Sequence, residues 1–151
     1  MKTTNAFKYV LTSFIILVAA LTSSYGKDDR NTVILTILGE SRSEGEDGMR
    51  AVAQVIWNRA KANPINFRTV CLKKKQFSFW NTPHKKEFLN KILNSKEGLI
   101  AKKVVDQMYL KLEPYPELGK VNFYHEKSIT PPYWAINKQG WILKNHIFYY
   151  I

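Results

Sequence analysis

The sequence predicts an α+β domain, a mainly helical body that ends in a small β element. Three observations predict it. Apolar residues recur at helical spacing from Met49 to Ala60. Capping and helix-breaking residues punctuate the chain between Asn31 and Pro114. After Gly119 the composition turns to β-branched and aromatic residues, over 121–125 and 140–151.

The elements follow in order. Asn31 or Thr32 caps a short apolar helix over 33–38 (VILTIL), which Gly39 terminates. Ser43 and Glu46 have the spacing of a capping box and open a second helix. Its apolar face carries Met49, Val52, Ala53, Ile56, Trp57 and Ala60, and Asn63-Pro64 ends it. Residues 69–74 form one or two helical turns. Thr82-Pro83 places a cap and a first-turn proline ahead of a helix carrying Phe88, Leu89, Ile92 and Leu93. Asn94 and Ser95 interrupt it. The next helix turns Leu99, Val104, Val105, Met108 and Leu112 inward and stops before Pro114. The two β-rich segments pair, with Lys144-Asn145 as a hairpin turn.

The 151 residues suit one domain with a real core, and 45% apolar residues argue against disorder. The single cysteine, Cys71, makes neither an internal disulfide nor a thiolate zinc cage. No G-x-x-x-x-G-K-S/T loop and no G-x-G-x-x-G fingerprint is present, which excludes the two common nucleotide-enzyme types. Residues 1–26 read as an export signal. Lys2 and Lys8 precede an apolar run over 9–21, and Ser24 and Gly26 stand at −3 and −1 of a cleavage before Lys27. The alternative is a retained anchor, although the run is short of the roughly 20 residues that span a bilayer. Either way the rest of the chain is expected outside the cytoplasm: periplasm, cell envelope or extracellular space. The net charge of +11 becomes +9 without the signal, 21 basic against 12 acidic residues. Such a balance suggests an acidic polymeric partner, among them peptidoglycan, anionic wall polymer, anionic lipid or nucleic acid, or serves solubility alone.

Glu40 is the first candidate for chemistry. It follows Gly39 at the end of an apolar helix, where the negative end of the helix dipole and partial burial both disfavour a second negative charge. A general acid needs that setting. Arg42 acts the other way if it makes contact. No second carboxylate stands out, because Glu44, Glu46 and Asp47 fall at the start of the second helix, which suits a helix-stabilising role. A mechanism with a single acid/base residue therefore fits better than a carboxylate pair. His84, His125 and His146 have no zinc-site spacing. Gln76-Phe77-Ser78-Phe79-Trp80 combines aromatic faces with amide and hydroxyl donors, as a sugar cleft or a core loop does. Asn122, Tyr124 and His125 form a similar cluster, with Asn122 and Tyr124 on one side of a strand.

Taken in order, the chain carries Gly39-Glu40-Ser41-Arg42, then Gly45 through Asn58-Arg59, then Gln76-Phe77-Ser78 with Trp80. Asn122-Phe123-Tyr124-His125, Pro132-Tyr133-Trp134-Ala135 and Asn145-His146-Ile147-Phe148-Tyr149 follow. This order resembles the catalytic domain of the SleB-type (spore-cortex-lytic) cell wall hydrolases, over about residues 33–150. The resemblance implies a lysozyme-like fold related to lytic transglycosylases. It implies cleavage of the bond between N-acetylmuramic acid and N-acetylglucosamine in peptidoglycan. Glu40 matches the family's catalytic glutamate. Gln76, Phe77, Ser78, Trp80, Asn122, Tyr124 and His125 are the residues expected in or beside the glycan cleft, with Asn145 and His146 holding the hairpin against it. Ser41, Ser43 and Lys144 depart from the Ala, Gly and Gly usual there. Lys144 in its turn then needs a positive φ, at a cost of about 1 kcal/mol.

The leading expectation is thus an exported, monomeric peptidoglycan-cleaving enzyme, without metal, cofactor, nucleotide or nucleic-acid partner. A simple hydrolase of the same bond is the nearest rival. A non-enzymatic basic module binding anionic polymer and a zinc amidase follow.

Overall fold

The computed structural model describes residues 28–151. The expected export segment, 1–26, lies outside the described residues. Among those described, no helix is long and apolar enough to cross a membrane.

Helix α1 occupies 28–41 and is buried on every side from Thr32 to Leu38. A helix apolar all round belongs at the centre of a core. Its hydroxyls are satisfied by their own backbone: Thr36 Oγ1 donates to the Thr32 carbonyl and Ser41 Oγ to that of Ile37, each at 2.8 Å. The helix does not stop at Gly39. That glycine lies inside it, because the Phe79 ring presses on the backbone there and leaves no room for a Cβ. Glu40 is therefore carried on the last turn.

A 3-10 turn over Arg42–Glu44 leads into α2, Gly45–Arg59. The expected capping box does not form. Ser43 lies within the 3-10 turn, Glu44 holds the cap position without a side-chain cap, and Glu46 pairs with Arg50 at 2.9 Å instead. The helix is sandwiched. Met49, Val52, Ala53, Ile56 and Trp57 face the helical core, while Ala51 and Val55 meet Leu118, Val121 and Phe148 under the sheet. α3 spans Phe67–Leu72, and a 3-10 turn follows at Ser78–Asn81.

α4 spans Lys86–Leu93, not a helix opened by Thr82-Pro83. His84 explains the delay: its ring stacks on Phe79 at 4.1 Å and its Nε2 lies 2.6 Å from the Phe79 carbonyl. That contact holds the preceding segment against the 3-10 turn. α5 spans Lys96–Tyr109, capped by Ser95, which accepts from Gly98 N–H at 3.0 Å. Gly98, Ala101, Val104, Val105 and Met108 form its buried face. Leu99 and Leu112, expected inward, are 58% and 55% exposed. The helix turns glycine inward because a side chain at 98 would strike the Ile92 and Leu93 carbonyls ending α4. Leu112 lies past the helix end.

The sheet has the order β1-β3-β2, all antiparallel: β1 Phe123–Glu126, β2 Trp141–Leu143 and β3 His146–Tyr149. Lys144-Asn145 is the hairpin turn, and Lys144 has the positive φ expected of it, 54°. The register sets Tyr124 opposite Phe148 and Glu126 opposite His146. The sheet thereby faces the end of α1 and the start of α2, where Glu40 sits.

Candidate active site

Three elements meet at Glu40. Ser78 Oγ and the Phe79 N–H both donate to its Oε1, at 2.9 and 2.8 Å, and Tyr124 Oη donates to Oε2 at 2.8 Å. The local reasons are simple. Phe77 and Phe79 alternate into the core, which turns Ser78 outward. The Phe79 N–H is a free donor because the first turn of a 3-10 helix has no partner for it. β1 presents Tyr124 between Phe148 and His146, at ring distances of 5.4 and 5.0 Å.

Burial pushes the Tyr124 hydroxyl well above its ordinary pKa, and the neighbouring Glu40 charge and hydrogen bond push the same way. Tyr124 therefore remains a proton-bearing donor. Ser78 and Tyr124 are rotating hydroxyls that can also accept, so the cradle can hold Glu40 either as carboxylate or as acid. Replacing Tyr124 by phenylalanine removes one charge-assisted hydrogen bond, worth about 1.5–3 kcal/mol. A fall in kcat of about 10- to 100-fold is expected together with a melting temperature lowered by several degrees, and steady-state kinetics well below the transition beside thermal unfolding check it.

The cleft around Glu40 is about 480 Å³ and is lined by Arg59, Gln76, Ser78, Tyr124, His125, Glu126, Trp134 and His146 among others. Of the expected glycan-contacting residues, Gln76, Ser78, Tyr124 and His125 line it. His125 is buried, stacked on Tyr149 with Nε2 3.1 Å from its hydroxyl. Phe77 and Trp80 are placed elsewhere, and Asn122 lines a smaller lobe that shares Arg59 and Gln76 with the cleft. Phe77 is buried in the helical core. Trp80 packs beside the same core and donates its indole N–H to Thr36 Oγ1 at 2.8 Å. Asn122 precedes β1 and clasps the main chain of Ile151, at 2.9 and 3.0 Å. Arg42 extends over Phe88.

Arg59, Glu44 and Glu126 are residues of the cleft and its flank that the sequence reading did not place there. Arg59 lies on the apolar stripe of α2, three residues after Ile56 and seven after Val52, and an arginine at such a position was the available signal. Its Nε donates to the Asn122 carbonyl at 2.7 Å, its guanidinium lies over Phe77 and Phe123, and burial lowers its pKa. Glu44 has a 5% exposed side chain whose Oε1 lies 2.7 Å from His146 Nδ1. Gly48 inside a helix marked it, because a Cβ there would sit 2.8 Å from Glu44 Oε2. Glu126 is exposed on the cleft wall and carried no sequence signal.

Cys71 is no nucleophile, since burial pushes its thiol up to about 12. The histidines are engaged separately, on Phe79, Tyr149 and Glu44. No group of three or more potential metal ligands gathers among the described residues.

The fold is similar to the crystal structure of the catalytic domain of the Bacillus cereus SleB protein. The TM-score is 0.58 at 22% identity, over 81% of this chain and 89% of that one. No curated protein matches the chain. The likeness establishes the mainly helical α+β fold that the sequence predicts and the lysozyme-like kind that the resemblance implies. The model of the Cell Wall Hydrolase family matches residues 43–149, beginning three residues after Glu40 and taking in the Ser78 turn and the whole sheet. A match over well more than half its length settles the family: the chain belongs to the cell wall hydrolases, enzymes of peptidoglycan.

Proposed function

We propose that this hydrolase works outside the cytoplasm and cuts the bond between N-acetylmuramic acid and N-acetylglucosamine as a lytic transglycosylase, with Glu40 as its single acid/base. The observation that carries the reading is the Glu40 carboxylate itself, half-buried at a cleft and fixed by Ser78, Phe79 and Tyr124. Protonated Glu40 gives its proton to the glycosidic oxygen as the C1–O bond breaks. The muramoyl C6 hydroxyl then attacks C1 and returns its proton to Glu40, leaving a 1,6-anhydro end without consuming water. Such a sequence asks for one carboxylate. The nearest other one along the chain, Glu44, is buried against His146, which supports that economy.

One observation favours a second reading. Glu126 is exposed and lines the same cleft as Glu40, so a water-activating carboxylate is at hand for simple hydrolysis. Mass spectrometry of muropeptides released from purified peptidoglycan separates the two. Fragments one water lighter than reducing-end muropeptides, released also by Glu126→Gln, are expected. Ordinary reducing ends that vanish in Glu126→Gln would make the enzyme a hydrolase with a carboxylate pair. No release from any peptidoglycan, spore cortex included, would overturn both.

A further inference from the structure

The cleft is electrically polarised along its length. On one flank of Glu40 a depression of about 410 Å³ gathers Glu44 and Glu126, with Lys127 as its one cation. On the other flank the cleft continues past Arg59 and Gln76 into a lobe of about 200 Å³. Arg59 and Lys73 line that lobe, and no acidic residue does.

Arg59 is built there rather than merely present. The Phe77 and Phe123 rings hold its guanidinium, with centroids at 5.2 and 5.5 Å, and the Asn122 carbonyl takes its Nε proton. Its Nη1 is buried without a hydrogen-bond partner among the described residues. A buried donor left unpaired costs free energy, about 1–3 kcal/mol, that a bound acceptor restores. A guanidinium fixed in its plane and left with free N–H groups is pre-organised for a carboxylate. Lys73, exposed at the end of α3, adds a second positive charge at the rim.

We infer that this lobe is an anion subsite that takes a free carboxylate of the peptide borne by the muramoyl sugar, so that the enzyme binds strands with free peptide carboxylates tighter than strands whose carboxylates are capped as amides. The inference rests on the glycan-cleaving reading for its substrate. Charge fixes its direction: the peptide branch lies toward Arg59 and Lys73, because the opposite flank would repel it.

The test measures binding, so that it stands apart from turnover. Soluble peptide-bearing glycan strands are freed of phosphate polymers with hydrogen fluoride, and in half of them the peptide carboxylates are converted to amides with carbodiimide and ammonia. Affinities are taken with Glu40→Gln protein, which leaves the strands intact. Strands with free peptide carboxylates are expected to bind about tenfold tighter than amidated ones, the scale of one partly exposed charge-assisted contact. Lys73→Glu should bring that ratio close to one. Lys103→Glu makes the same charge change on α5, outside the cleft, and should keep the ratio. Equal affinity for the two strands overturns the subsite, as does an equal loss with Lys103→Glu, which would mean general attraction. If instead the glycan-cleaving reading fails, wild-type protein releases no fragments while the tenfold preference persists.

Discussion

Glu40→Gln is expected to lower kcat on peptidoglycan by about 10²–10⁴-fold, the usual contribution of a positioned general acid. The change is nearly isosteric. The Phe79 N–H and the Ser78 hydroxyl can still donate to the amide oxygen, and the Tyr124 hydroxyl, which rotates, can accept from the amide N–H. The amide supplies no proton to a departing sugar oxygen and takes none from an attacking one. Binding should therefore survive within a few-fold, and the melting temperature should stay near that of the wild type. Muropeptide release, strand affinity and thermal unfolding of one preparation check the three parts. A variant that retains a tenth or more of the wild-type rate would remove Glu40 from the chemistry and turn attention to Glu126, which shares the cleft wall.

Glu40, Ser78 and Tyr124 were legible in the sequence because each occupies a motif whose order survives folding. Their meeting spans 38 and 84 residues of chain, and nothing local announces it. The resemblance supplied that step. Where the reading failed, a side chain had two uses and packing chose the other. Phe77 and Trp80 have the aromatic faces a sugar would take, but they belong to the core, and the outward member of their turn is Ser78. Asn122 does line the lobe beside the cleft, but its amide is taken up by the donor and acceptor of the Ile151 backbone. Arg59 shows the converse. Its charge argued for solvent, and only the paired Phe77 and Phe123 rings, from separate parts of the chain, make a buried guanidinium tolerable. Leu99 was assigned inward on residue type, whereas Gly98 decides the face of α5 through the close approach of α4. Contacts between different elements settled each of these cases, and periodicity within one element does not record them.

Gly39 is the sharpest instance of that rule, and Gly39→Ala should damage the enzyme out of proportion to a single methyl. Read along the sequence, the glycine ends a helix, and alanine would extend it with a gain of up to about 1 kcal/mol in helix propensity. In the fold the helix already continues, so no stop is lost. An added Cβ would overlap the Phe79 ring and stand 2.6 Å from Phe79 Cβ. Overpacking of this kind costs about 1–3 kcal/mol. Relief requires moving Phe79, which stacks on His84 at 4.1 Å and meets Trp80 at 4.8 Å, so the whole Ser78–Asn81 turn must shift. That turn carries two of the three donors to Glu40. A displacement near 1 Å at such a site can cost about 100-fold in rate. The expected result is a modest drop in melting temperature together with a loss of kcat of about 10- to 100-fold, measured well below the transition where the protein is folded. Phe79→Leu in the same chain should recover part of the stability, since it frees the space the methyl needs, and a double-mutant cycle reads that coupling directly. Full activity in a stable Gly39→Ala variant would show that the Phe79 contact does not position the acid.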